Sequence, residues 1–294
     1  MILIAGPSAN GIADRIAELR GEKAYNAVHK VFPDGESYIK MPQGIAGEEV
    51  AIIQSTNNPQ DKSLMELFFM IDKARELGAK SVTAIVPYMG YMRQNKEFNE
   101  GEAVSINTII SMLNSLHLDN LITIQPHKSG PLRAFKGKTI IVEVIGKMAE
   151  YAGDGMHNPI VLAPDKGALE IARKAAASMG CIYTYIDKER LNDTKVSIKH
   201  SPSEDMSGRD VMIIDDMIST GGTIVQAAEF ARSRGARSVR AAAVHLIMAG
   251  NAEEKLMNAG ISEICGTNTL PFKGAKTFDV SGEISKALGG LGLE

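Results

Sequence analysis

Two adjacent carboxylates, Asp215 and Asp216, follow the apolar run Val211-Met212-Ile213-Ile214 and precede Ser219-Thr220-Gly221-Gly222-Thr223. A short β-branched run of this kind reads as a buried central strand, expected to end at Ile214, with a helix over Ile224 to Ser233. Ligands of open α/β sheets bind beyond the carboxyl ends of the strands, which is where the intervening loop falls. Gly221 and Gly222 let the backbone fold tightly around an anion. The first N–H groups of the helix point at such an anion, and the hydroxyls of Ser219, Thr220 and Thr223 add donors. Two carboxylates buried without partners would be costly, so Asp215 and Asp216 are expected to face the cleft and accept from sugar hydroxyls or reach a hydrated cation. A phosphate cup beside a diol acceptor suits a phosphorylated pentose. Helix capping also favours Ser, Thr and Asp, but it leaves the Asp pair beside Gly-Gly unexplained. The Walker A pattern and the dinucleotide fingerprint are both absent from the sequence.

Short apolar runs alternate with amphipathic stretches, as in Val50 to Gln54, Leu64 to Leu77 and Val82 to Val86, the pattern of parallel strands joined by helices. Gly78 and Gly235 each close a helical segment before a strand, where glycine takes the left-handed C-terminal conformation. Around them lies an internal repeat: residues 74–84 match residues 231–241 at seven of eleven positions. Each copy is preceded by a Val-x-Ile-Ile strand, at Val50 and at Val211. Two α/β halves of similar plan follow, with a boundary between Thr139 and Lys147.

The 294 residues suffice for two domains with cores of their own, and 23% charged with 44% hydrophobic residues is an ordinary globular composition. A net charge of -3 gives no overall attraction to nucleic acid or to an anionic membrane, so an anionic substrate must be held locally. The first residues have neither the basic flank nor the apolar length of a signal peptide, and a cytoplasmic location is expected. Cys181 and Cys265 show no spacing suited to zinc or redox chemistry and read as buried small hydrophobes.

The run Asp215 to Thr223 resembles the phosphoribosyl-pyrophosphate motif shared by type I phosphoribosyltransferases and ribose-phosphate pyrophosphokinases. Further segments across nearly the whole chain resemble the pyrophosphokinases, and the simple transferases lack them. Phe32-Pro33-Asp34-Gly35-Glu36 is similar to the family's adenine loop, which a neighbouring subunit usually contributes. Tyr91-Met92-Arg93-Gln94-Asn95-Lys96 resembles the segment whose Arg and Gln contact ATP, and Arg93 and Lys96 suit polyphosphate. His127 stands where the family places a histidine near magnesium and the triphosphate, although Gln125-Pro126 replaces the usual Asp-Leu before it. Asp165, in Pro164-Asp165-Lys166-Gly167, resembles a magnesium ligand; without the resemblance it would be an Asx turn before a helix from Ala168. Lys188 and Arg190 resemble the catalytic Lys-x-Arg pair, and if Tyr183 to Ile186 is a strand they continue it at alternate positions. Thr267 to Pro271 is similar to a family segment of structural role. Phe98 to Ala103 resembles the shorter, archaeal-like branch, and Ser219 stands where better-known members carry aspartate.

The resemblance implies an α/β chain of two similar phosphoribosyltransferase-like domains, each a largely parallel sheet flanked by helices. Residues 1–142 would be the ATP side and 143–294 the ribose 5-phosphate side, with the extreme C-terminus packing on the first. It implies ATP held by Phe32, Asp34, Gly35, Glu36, Arg93, Gln94, Lys96 and His127. Ribose 5-phosphate would be held by Arg190, Asp215, Asp216 and Ser219 to Thr223, and Mg2+ by His127 and Asp165. Lys188 and Arg190 would be catalytic. The implied assembly is a homodimer or larger homo-oligomer sharing the ATP site, with neither nucleic acid nor membrane as partner. A phosphoribosyltransferase would have no use for the Phe32 loop or the Arg93-Gln94 segment. A non-catalytic relative would be expected to lose Lys188, Arg190 or His127, and all three are present.

Overall fold

The computed structural model describes residues 1–192, 195–200 and 205–292; the side chains of residues 188–200 lie outside that description. The chain forms two compact units, residues 1–142 with 279–294, and residues 143–278.

In the first unit the elements run β1 (Ile2–Ala5), α1 (Ile12–Arg20), β2 (Ala24–Asn26), β3 (Val28–Val31), β4 (Ser37–Lys40) and β5 (Glu49–Ile53). Then come α2 (Gln60–Glu76), β6 (Ser81–Val86), α3 (Ser105–Ser115), β7 (Asn120–Ile124) and β8 (Lys138–Val142). Six strands pair in the order β2-β1-β5-β6-β7-β8, all parallel. Strands β3 and β4 stand apart as an antiparallel hairpin. The central strands are buried nearly end to end, as a parallel sheet covered on both faces requires.

The second unit contains α4 (Ile145–Gly153), β9 (Ile160–Ala163), α5 (Leu169–Met179), β10 (Ile182–Asn192), β11 (Lys195–His200) and β12 (Asp210–Ile218). It continues through α6 (Gly222–Ser233), β13 (Ser238–Leu246), α7 (Ala252–Asn258), β14 (Glu263–Thr267) and β15 (Lys276–Phe278). Its seven-stranded sheet has the order β11-β10-β9-β12-β13-β14-β15, parallel except where β10 meets β11. The last helix, α8 (Ser281–Gly289), belongs to the first unit and packs on α1.

The internal repeat is a repeat of structure. Gly78 and Gly235 both have left-handed backbones, with φ of 82° and 80°. Val50 pairs with Val82 in β5 and β6, as Val211 pairs with Val239 in β12 and β13. Gly47 N donates to Gly78 O at 2.8 Å, and Gly208 N donates to Gly235 O at 3.0 Å. Lys80 N to Glu48 O and Arg237 N to Arg209 O are both 2.8 Å. The same tie between a helix stop and the start of the neighbouring strand is thus built twice. In the second copy it is reinforced by Asp210, which is 3% exposed and accepts from Arg237 Nε at 2.8 Å, Ser238 Oγ at 2.7 Å and His157 N at 2.7 Å. The Arg237 guanidinium, with the His157 and Ser238 donors, holds the Asp210 carboxyl well below the usual carboxylate range although burial opposes this.

Cys265 is buried, and that burial, with the charge of Glu263, pushes its thiol up to about 12. Cys181 is only half-buried, contrary to the expectation for both cysteines, because it lies at the boundary where α5 turns into β10. Among the described residues no helix is long and apolar enough to cross a membrane.

Candidate active site

Strand β12 does not end at Ile214. It runs on to Ile218, with Asp215 opposite Ala243, Met217 opposite His245 and Ile218 opposite Leu246. The low strand preference of aspartate suggested an earlier stop; pairing with the long β13 overrides it. The two carboxylates therefore sit inside the last part of a sheet strand. Asp216 is buried and Asp215 half-buried, rather than both being open to a cleft. Asp216 N donates to Asp215 Oδ1 at 2.8 Å. Burial, then the charge of Asp216 and, further down, that of Asp165, raise the Asp215 carboxyl well above the ordinary range.

Only Ser219, Thr220 and Gly221 separate the strand from α6. Gly221 caps the helix with φ 78° and ψ -6°, a left-handed conformation that costs other residues strain. No side chain caps the helix start. Among the described residues the hydroxyls of Ser219, Thr220 and Thr223 have no hydrogen-bond partner, so these donors and the first N–H groups of α6 are available to an anion. Gly222 is exposed, and a Cβ added there would meet nothing within 4 Å. The turn is braced from behind by the segment after β13: Ile247 N and Met248 N donate to Ile218 O at 2.9 and 3.1 Å, and Ala249 N to Ser219 O at 3.0 Å. The end of β13 is in turn fixed by a buried cluster. His245 Nδ1 lies 2.9 Å from Thr269 Oγ1, and Thr267 Oγ1 donates to Val244 O at 2.8 Å. The structural role read for Thr267 to Pro271 has this physical content; the part of His245 had no signal in the sequence beyond an imidazole inside an apolar strand.

Asp165 follows β9, the immediate neighbour of β12. Its Oδ1 accepts from Gly167 N at 2.8 Å, the Asx turn foreseen, and a single 3-10 turn over Lys166–Ala168 leads into α5, which starts at Leu169. Lys188 and Arg190 lie on β10, in register with Ile198 and Val196 of β11. Strand β10 is longer than the run Tyr183 to Ile186 suggested, and it carries both residues at alternate positions. Their side chains lie outside the described residues.

In the first unit the nucleotide candidates emerge from carboxyl ends as well. Arg93, Gln94 and Lys96 follow β6 in an exposed turn; Gln94 N donates to Tyr91 O at 2.9 Å, and the Gln94 side chain accepts from Ser105 Oγ. Tyr91 has a positive φ of 62° and donates its hydroxyl to Asp61, which raises the Tyr91 phenol above its ordinary value. Lys96 Nζ lies 4.9 Å from the Phe98 ring centroid. His127 follows β7 and is half-buried. Phe32 to Glu36 form the tip of the β3-β4 hairpin, closed by Phe32 N to Glu36 O and Gly35 N to Phe32 O, both 2.8 Å. Gly35 there has φ 97°, and Asp34 Oδ1 accepts from Glu36 N at 3.2 Å. Phe32 is 48% exposed and meets Tyr38 edge-on. Among the described residues no group of three or more His, Cys, Asp or Glu is arranged to hold a metal ion by itself.

Two parallel α/β units, one of them with an acidic strand end leading into a glycine-capped turn, define a doubled phosphoribosyltransferase-type chain. Residues 1–116 match the model of the N-terminal domain of ribose phosphate pyrophosphokinase, and residues 134–268 that of the phosphoribosyl transferase domain. The ribose-phosphate pyrophosphokinase of Saccharolobus solfataricus is 45% identical over 98% of this chain and 100% of its own, and that of Methanobrevibacter smithii 38% identical over 92% and 94%. The crystal structure of phosphoribosylpyrophosphate synthetase from Mycobacterium smegmatis superposes with a TM-score of 0.88 at 26% identity, covering 99% of this chain and 98% of that one. The chain belongs to the ribose-phosphate pyrophosphokinase family, an enzyme family of ATP-using kinases.

Proposed function

We propose that the chain transfers the β,γ-diphosphoryl group of ATP to the C1 hydroxyl of ribose 5-phosphate, giving 5-phosphoribosyl 1-pyrophosphate and AMP for nucleotide biosynthesis in the cytoplasm. The sugar-phosphate half of this reading is supported by the turn Ser219 to Thr223, with left-handed Gly221 and uncapped α6, directly after Asp215 and Asp216, and the ATP half by the match of residues 1–116 to the N-terminal domain of ribose phosphate pyrophosphokinase. The turn is assigned to the 5-phosphate and the two carboxyls to the ring hydroxyls.

Attack of the sugar hydroxyl on the β-phosphorus, with AMP leaving, needs no covalent intermediate, so the protein's work is positioning and charge neutralisation. Phe32, Asp34, Gly35, Glu36, Arg93, Gln94, Lys96 and His127 are assigned to ATP, the hairpin loop serving a neighbouring copy in a homodimer or larger assembly. Lys188 and Arg190 are assigned to charge developing on the transferred group, with Arg190 also assigned to ribose 5-phosphate. Mg2+ is the proposed cofactor. The chemistry of the residues fits it: Asp165 follows β9 and Asp215 and Asp216 lie near the end of the neighbouring β12, and carboxylate oxygens are the hard donors such a cation takes. Asp165 and His127 are the residues assigned to it; when bound, it would supply neutralisation of phosphate charge.

Incubation with Mg-ATP and ribose 5-phosphate tests the proposal. Sugar-dependent AMP is expected, whereas base-dependent release of pyrophosphate from phosphoribosyl pyrophosphate, without any ATP reaction, would replace it with a transferase.

A further inference from the structure

The β3-β4 hairpin forms a sheet of its own, and an isolated two-stranded ribbon is marginal in water. Something must therefore fix it to the first unit. Its outer side is open, with Val28 47% and Tyr38 37% exposed. Within its two strands only His29, Ser37 and Ile39 are half-buried. Ile39 packs on the apolar core of the unit. The other two both meet one carboxyl, that of Glu66 on α2, which is 2% exposed. Ser37 Oγ donates to Glu66 Oε1 at 2.8 Å, and His29 Nε2 lies 2.9 Å from the same oxygen. Each strand of the hairpin thus has one side chain against Glu66, Ser37 through a hydrogen bond and His29 through an ion-pair approach without hydrogen-bond geometry.

The carboxyl is also tied to the sheet. Its Oε2 lies 3.4 Å from Nε2 of Gln54, a buried residue just past β5, whose Oε1 accepts from Ser8 N at 2.8 Å beyond the end of β1. The link is tight at the Ser8 side: a Cβ on Gly6 would come within 2.4 Å of Gln54 Oε1. A continuous polar path therefore runs from the carboxyl edge of the sheet through Gln54 and Glu66 into both hairpin strands. A carboxyl on the buried face of a helix costs free energy unless it is fully paired, and here all its described partners serve the hairpin or the strand end.

We infer that Glu66 is a positioning residue for nucleotide binding: it sets the angle and rigidity of the hairpin whose tip, Phe32 to Glu36, receives the adenine. The inference rests on the proposed reading of that tip. Without Glu66 the tip would still exist, but ATP would have to order the hairpin as it binds, and that ordering would weaken apparent affinity for ATP alone.

The test measures KM for each substrate and kcat in the full-length enzyme with Mg2+, alongside thermal melting. Glu66→Ala is expected to raise KM for ATP about tenfold, with KM for ribose 5-phosphate changed less than about twofold. Ser37→Ala is expected to raise the ATP value about threefold, and Glu66→Gln, which keeps an acceptor for Ser37, to fall between. General destabilisation would lower the active fraction and so kcat, without this split. A folded Glu66→Ala enzyme with the parent's KM for ATP, or with both KM values raised alike, overturns the inference. If that variant does not fold, Ser37→Ala and His29→Gln decide, and parental KM for ATP in both overturns it. Phe32→Ala separates the two ideas: parental KM for ATP in that variant sinks the reading of the tip itself, while a raised value beside an unaffected Glu66→Ala sinks only the role of Glu66.

Discussion

Replacing each of the two adjacent glycines of the turn proposed to hold phosphate by alanine should produce opposite kinds of damage. At Gly221 the φ of 78° is left-handed, and the added Cβ would lie 3.4 Å from Leu256 Cδ2, an ordinary contact. The cost of Gly221→Ala is therefore conformational rather than steric, about 1–2 kcal/mol. It should appear as a melting temperature lower by several degrees, about 2–4 °C per kcal/mol for a chain of this size. At Gly222 the backbone is ordinary, and the Cβ meets no atom within 4 Å. Gly222→Ala should leave stability unchanged or slightly improved, since alanine is the better helix former. The space it fills, however, is the mouth of the uncapped helix. A methyl group there displaces phosphate from donors worth about 1.5–3 kcal/mol each, so KM for ribose 5-phosphate should rise by about tenfold or more, with KM for ATP unchanged. The assay is steady-state kinetics with each substrate varied in turn, with thermal melting of both variants. A Gly222→Ala enzyme with the parent's KM for the sugar would refute the placement of the phosphate at this turn, and equal melting losses in the two variants would refute the reasoning about the backbone.

Three further outcomes are expected. Lys188→Ala should lower kcat by about a hundredfold or more with a modest change in KM for ribose 5-phosphate; unchanged turnover removes it from catalysis. Asp215, with its raised carboxyl, keeps a proton in the folded protein where the unfolded chain has lost it, so its contribution to stability falls as pH climbs from the ordinary aspartate range through the raised value. Asp215→Asn should thus melt increasingly above the ligand-free parent as pH rises, while losing activity, and a difference independent of pH contradicts the assignment. Asp210 is the opposite case: its depressed carboxyl stabilises the fold above the ordinary aspartate range, and this is lost as pH falls through the depressed value. Arg237→Ala should lower the melting temperature near neutrality, with a deficit that shrinks toward acid pH.

The glycine stops, the alternation of strands and helices and the duplicated junction were legible in the sequence because each depends on neighbours within a dozen residues. Gly78 and Gly235 are where they had to be for the chain to leave a helix and enter the adjacent strand. The end of β12 was misread because Asp215 and Asp216 obey β13 rather than their own preference: four residues past Ile214 remain in the sheet through pairing with a strand some thirty residues later. Thr267 and Thr269 read as structural, but their tie to His245 and β13 was invisible for the same reason, being made of contacts across strands. Glu66 did leave a trace. It falls among Ser63, Leu67, Met70 and Ala74 on the buried stripe of α2, and an acidic residue at a core position of an amphipathic helix asks for a partner. The sequence does not say which partner, because His29 and Ser37 belong to a hairpin whose fold onto α2 is fixed only in three dimensions.

The central claim is that the ATP-side segments and the phosphopentose turn carry out one reaction, and the fate of the nucleotide tests it most directly. When the protein is incubated with Mg-ATP and ribose 5-phosphate and the nucleotides are separated, AMP should form in equal amount with 5-phosphoribosyl 1-pyrophosphate and only when the sugar is present. ADP as the sugar-dependent product would mean transfer of a single phosphoryl group and would contradict the account.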